Sequence, residues 1–127
     1  MGGGSLADYL SSHSKLTLGE NILIARQVGL GLGHMHQKQL IHGDLKPENV
    51  LVSAENVFKV ADLGLATSVH LVDDMTGCRG NKLYKSPEML LEQSIAPESV
   101  TKCDVYSYGL LLWSILCHGY PFQDIND

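Results

Sequence analysis

A polar octet running into two short β-type segments constrains this chain more than any other feature. His42-Gly43-Asp44-Leu45-Lys46-Pro47-Glu48-Asn49 holds a glycine and a proline, and reads as a loop. Val50-Leu51-Val52 and Val57-Phe58-Lys59-Val60 follow it. Between them, Ser53-Ala54-Glu55-Asn56 is turn chemistry, so the two runs predict a small antiparallel hairpin. That turn brings Asn49 and Asp62 face to face at the open end of the hairpin. The octet, with Asp44 and Lys46, enters at the same end.

Helices surround this hairpin. Thr17 and Glu20 form a capping box ahead of a helix from about Leu18 to Gln37. Ile22, Ala25, Val28, Leu32 and Met35 recur along it at helical spacing and predict its buried face. Gly29, Gly31 and Gly33 interrupt it, each at a cost of about 1 kcal/mol against alanine. No strand precedes them, so close packing on a neighbour explains them better than a phosphate-binding loop does. Leu40 and Ile41 are extended and apolar. Asp62 to Pro87 shows no sustained period and reads as a long loop. A helical stub from about Glu88 to Glu92 follows. The last helix runs from about Lys102 to Cys117, with Thr101 and Asp104 as its cap pair. Its apolar residues cover nearly every face, which predicts burial all round. The expected fold class is mainly α with a small β-hairpin, in one domain.

Composition narrows the partners. The formal charge is -5 with acids and bases scattered along the chain, which argues against nucleic acid or an anionic membrane. The apolar run Gly109 to Cys117 is too short to span a bilayer, and no secretory signal is evident. Cys78, Cys103 and Cys117 are odd in number and widely spaced. They read as reduced thiols, consistent with the cytoplasm or the nucleus.

The open end of the hairpin carries the chemistry. A carboxylate (Asp62) and an amide oxygen (Asn49) suit a hard cation such as Mg²⁺. Asp44 can accept a proton, and Lys46 can meet phosphate charge. Those are the parts phosphoryl transfer requires. Taken singly, each Asp or Asn reads first as a turn former or helix cap, and only the combination points to the chemistry.

The octet resembles the protein-kinase catalytic loop H-R-D-L-K-P-E-N with one change. Asp62-Leu63-Gly64 resembles D-F-G with leucine for phenylalanine, and Ser86-Pro87-Glu88 resembles A-P-E. Asp104-Val-Tyr-Ser-Tyr-Gly109 is similar to the opening of the kinase helix F, and Gly3 to Leu10 to the stretch after the kinase hinge. Order and spacing agree along essentially the whole chain. The resemblance implies an incomplete kinase C-terminal lobe spanning 1–127, from after the hinge to just past helix F. It also makes the glycine-rich start, Met1 to Ser5, a native bend rather than an added linker.

The resemblance further implies roles. Asp44 would be the catalytic base and Lys46 would neutralise the transferred phosphoryl group, as in serine/threonine kinases. Asn49 and Asp62 would hold Mg²⁺, and Lys46, Asn49, Leu51 and Asp62 would contact ATP, with Leu51 under the adenine. His42 and Leu63 would pack in the lobe's hydrophobic column, and Leu111 and Ile115 would support the adenine side. Gly64, Asn81, Glu88 and Asp104 would be structural positions of the activation segment and its anchor. The stretch Lys102 to Pro121 resembles the tyrosine-kinase-like branch.

Some features depart from the family pattern. Gly43 replaces the arginine that reads a phosphate on the activation loop, so activity is expected not to depend on phosphorylation at Thr67, Ser68 or Thr76. Asn81 stands in place of a threonine. The chain has no glycine-rich phosphate loop and none of the N-terminal lobe's lysine and glutamate. An N-lobe in the parent chain is therefore expected, as are further helices beyond Phe122, without which Glu88 lacks its partner. Two readings follow: part of a kinase acting on a protein substrate, inactive as this chain alone, or a non-catalytic lobe that binds partners as a scaffold or decoy.

Overall fold

The computed structural model describes residues 4–61, 67–68, 82–91, 95–96 and 99–118. Helix α1 (Leu6–Ser12) starts on a local cap. The Ser5 hydroxyl accepts from the Asp8 amide, and the Asp8 carboxylate accepts from the Ser5 amide. Leu6 and Leu10 face inward from it. Two buried apolar positions are too few to establish a period, so hydrophobic periodicity does not signal this helix.

Helix α2 (Leu18–Gln37) starts where its capping residue predicts, with the Thr17 hydroxyl accepting from the Glu20 amide. Its buried residues are Ile24, Val28, Leu32 and Met35. The expected stripe through Ile22 is corrected: Ile22 is 57% exposed. At about 100° per residue it stands roughly 120° round the helix from Val28, whereas Ile24 stands about 40° away.

Two of the three glycines sit at close contacts. A Cβ on Gly29 would lie 2.8 Å from the Tyr108 hydroxyl, which donates to the Ala25 carbonyl at 2.7 Å. A Cβ on Gly31 would lie 3.3 Å from Val60. Gly33 has nothing within 4 Å, so packing does not explain it.

The hairpin forms as expected from strands β2 (Val50–Val52) and β3 (Phe58–Val60). Val50 pairs with Val60, Leu51 with Lys59 and Val52 with Phe58. The Ser53 hydroxyl accepts from the Glu55 and Val57 amides, and Asn56 takes a left-handed φ of 59°. The hairpin is held to α2 by Gln27, whose side-chain oxygen accepts from the Phe58 amide at 2.7 Å.

A second small sheet corrects the loop expected over 62–87. Strand β1 (Leu40–Ile41) pairs antiparallel with β4 (Thr67–Ser68). A 3-10 turn at Lys82–Tyr84 leads to α3 (Pro87–Leu90), capped by the Ser86 hydroxyl. This helix begins one residue before the expected stub.

Helix α4 (Thr101–Cys117) carries two corrections. Its N-cap residue is Val100, in helical conformation and with no side-chain cap. Thr101 is already inside the helix, and Asp104 is turned toward the octet, where it satisfies other amides. Nor is α4 buried all round. Leu111 and Ile115 are fully covered, while Val105 is 48% and Leu116 61% exposed.

The main core joins α1, α2, the hairpin and α4 through Leu6, Ile24, Val28, Leu45, Phe58 and Leu111. A second cluster sets Ile41 against Met89, Val100 and Cys103. Burial pushes the Cys103 thiol above its ordinary pKa. Among the described residues no helix is long and apolar enough to cross a membrane.

Candidate active site

The octet leaves β1 and turns back into β2, and its backbone is held from beneath by one carboxylate. Asp104 is 1% exposed on the first turn of α4. Its Oδ2 accepts from the His42 amide at 2.7 Å, and its Oδ1 accepts from the Gly43 amide at 3.0 Å. His36, near the end of α2, donates its Nε2–H to Oδ2 at 2.9 Å. A buried carboxylate is tolerable only when donors satisfy it, and three N–H groups converge here.

His42 is wholly buried and its tautomer follows from its partners. Nε2 lies 2.7 Å from the Ala61 carbonyl, which can only accept, so Nε2 carries the proton. Nδ1 then accepts from the Asp44 amide at 3.1 Å. The ring therefore fastens the octet to the residue that leaves β3 at the open end of the hairpin.

On this base three side chains converge. Asp44 Oδ2 lies 3.7 Å from Lys46 Nζ and 3.2 Å from Asn49 Nδ2. Asn49 Nδ2 also donates to the Asp44 carbonyl at 2.6 Å. Two oxygen acceptors fix the orientation of this amide. Among the described residues Asn49 Oδ1 takes no hydrogen bond, which suits it to a hard cation. A short 3-10 turn, Pro47–Asn49, aims Asn49 into the site, and its side chain is buried. Asp44 and Lys46 are partly exposed, as groups that must meet a solute need to be.

The ladder adjusts the expected geometry by one step. The Ala61 amide donates to the Asn49 carbonyl at 2.8 Å, so Asn49 stands opposite Ala61 rather than Asp62. Asp62, Leu63, Gly64 and Asn81 lie outside the described residues. Among the described residues no three His, Cys, Asp or Glu side chains form a metal-binding group. Leu51 is half-buried on the hairpin, next in chain to this cluster. Leu111 and Ile115 lie in the core beneath it. Glu88 is exposed on α3, and among the described residues it forms no ion pair.

Two participants were not read from the sequence. His36 falls on a helix whose pattern signalled only its apolar face. Lys85, 5% exposed, donates from Nζ to the Gly43 carbonyl at 2.7 Å and stands 3.9 Å from Asp44 Oδ1. A lone lysine in an aperiodic stretch reads as a solvated residue. Its place just before the Ser86-Pro87-Glu88 cap was the available hint.

The chain is similar in sequence to known proteins along its whole length. A family model described as protein kinase domain matches residues 1–127. Protein kinase kin1 of Schizosaccharomyces pombe is 35% identical over 98% of this chain, which covers 14% of that protein. A protein named a probable serine/threonine-protein kinase from Dictyostelium discoideum is 38% identical over 98% of the chain and is likewise covered over 14% of its length. An SNF1-related protein kinase catalytic subunit alpha of Arabidopsis thaliana is 32% identical over 97% of the chain, with 24% of it covered. The chain therefore spans about a seventh to a quarter of the length of these relatives. It belongs to the protein kinase domain family.

Proposed function

We propose that this chain is the catalytic-loop portion of a protein serine/threonine kinase that moves the γ-phosphate of ATP to a protein hydroxyl. The observation that carries the reading is the Asp44 carboxylate, held between Lys46 and Asn49 on a loop whose backbone Asp104 and His42 secure. In this reading Asp44 takes the proton of the substrate hydroxyl as the oxygen attacks. Lys46 sets a positive charge beside the transferring group. Asn49 Oδ1, with Asp62, would hold Mg²⁺, which supplies charge neutralisation at the phosphates when bound. Leu51 would offer an apolar surface to the adenine. The preorganised loop lowers the reorganisation that charge transfer would otherwise demand. The reading treats 1–127 as part of one C-terminal lobe and places the lobe that covers ATP in sequence outside these residues. The tyrosine-kinase-like branch and a cytoplasmic or nuclear setting belong to the same proposal.

The test is phosphotransfer to a serine- or threonine-containing peptide by the full-length protein. Asp44→Asn is expected to lower kcat by about 10²- to 10⁴-fold while ATP binding persists. A variant that keeps activity within about twofold would remove the catalytic reading. A second reading, a non-catalytic lobe that binds proteins, draws on the exposed apolar groove between α2 and α4 described below. Full-length protein that binds no Mg²⁺-ATP would favour it.

A further inference from the structure

Lys85 places a nearly buried ammonium against the loop that carries Asp44. A buried charge persists only where partners compensate it. Here Nζ donates to the Gly43 carbonyl at 2.7 Å and lies 3.9 Å from Asp44 Oδ1. The other carboxylate oxygen, Oδ2, faces Lys46 and Asn49. The two oxygens of Asp44 are thus addressed from opposite sides, by the octet on one and by the segment ahead of α3 on the other.

The contact falls where the backbone most needs holding. Gly43 has a φ of 81°, in the left-handed region, and lacks a side chain that could anchor it. Its amide is taken by Asp104 and its carbonyl by Lys85. The peptide joining Gly43 to Asp44 is therefore gripped at its oxygen, and that peptide sets where the Asp44 side chain leaves the loop. Lys85 is itself held on both flanks. The Tyr84 hydroxyl is 2.8 Å from Ser114 Oγ, and the Tyr84 carbonyl accepts from Ser107, both on α4. The Ser86 hydroxyl caps α3. The backbone that carries Lys85 is thus docked on α4 and α3 at both of its neighbours.

We propose that Lys85 is a positioning residue for Asp44. It clamps the Gly43 carbonyl, balances the inner carboxylate oxygen, and makes the aim of Asp44 depend on the docking of the segment ahead of α3. The catalytic part of this inference rests on the kinase reading above, whereas the clamp itself does not.

The experiment compares full-length wild type, Lys85→Met and Lys85→Arg. It reads kcat, the KM for ATP, and amide hydrogen exchange across 41–45. Lys85→Met should lose about 10- to 100-fold in kcat through misplacement of Asp44. Its KM for ATP should stay within about twofold, and exchange across 41–45 should quicken. Lys85→Arg, which keeps charge and donor, should recover most of the rate and the protection. The proposal is overturned by a Lys85→Met protein with wild-type kcat or wild-type exchange, or by Lys85→Arg no better than Met. Should wild type itself transfer no phosphate, the kinase reading falls and exchange alone decides. Quickening in Met but not in Arg upholds the clamp, and equal exchange in all three overturns it. Should Lys85→Met fail to fold, Lys85→Gln against Lys85→Arg makes the same comparison, with glutamine losing protection and arginine keeping it.

Discussion

At its C-terminal end α2 sends His36 into a buried polar network, whereas near its N-terminus it turns Leu18, Asn21 and Ile22 toward an apolar groove against α4. In the network the buried Asp104 carboxylate accepts from His36, His42 and Gly43. In the groove, about 230 Å³ in volume and lined also by Leu112, Ile115 and Leu116, the buried side-chain oxygen of Asn21 has no hydrogen-bond partner among the described residues. Leu18 and Leu116 are 69% and 61% exposed. One helix thus serves two regimes. Hydrogen bonds are directional and tolerate little displacement, so they define a single arrangement of the octet. Apolar contact is non-directional and leaves the other end adaptable.

The sharpest way to break that contrast is Asp104→Ala. It strips the acceptor from two backbone amides in the octet and from His36, and should lower the unfolding free energy of the full-length protein by about 3–5 kcal/mol, read by denaturant titration. Asp104→Asn keeps one acceptor oxygen and should cost less. Equal losses for the two would mean that packing, not the hydrogen bonds, is what Asp104 contributes.

A smaller effect separates two glycines of α2. Gly29→Ala drives a methyl group against the Tyr108 hydroxyl and threatens its bond to Ala25. The gain in helix propensity offsets part of that strain, leaving a net loss of about 1 kcal/mol. Gly33→Ala meets nothing and should gain about 1 kcal/mol. Thermal melts of the two variants that shift in the same direction would contradict the close approach of α2 to α4.

The smallest expected effect lies in the groove. Asn21→Leu removes a buried oxygen that lacks a partner among the described residues, and should leave stability unchanged or raise it by up to about 1 kcal/mol. A clear loss in the same melts would show that this oxygen is satisfied in solution, and the two ends of α2 would then differ less than they do here.

Much of the fold was legible because its causes are local. The Thr17 cap, the 3.6-residue period through Val28 and Leu32, and the Ser53 turn each act within a few residues. Where a cause was distant, the local rule misled. Asp104 was read as a cap partner of Thr101 because Asp near a helix start usually is. Its side chain instead serves amides 61 and 62 residues away. Ile22 was placed on the buried face because periodicity alone does not choose among neighbouring stripes.

By itself the sequence determined that this chain would be helical around one hairpin, that Asp44, Lys46 and Asn49 would meet at the hairpin's open end, and that its motifs belong to the protein kinase domain. Those outcomes depend on spacing along the chain, which a sequence records. The resemblance marked Asp104 as an anchor, but only the tertiary structure decided which groups it and its neighbours hold around Asp44. Asp104, His36 and Lys85 reach the octet from three separate elements, and burial turns each from an ordinary polar residue into a required partner. Burial is a property of the assembled packing, and no single segment carries it.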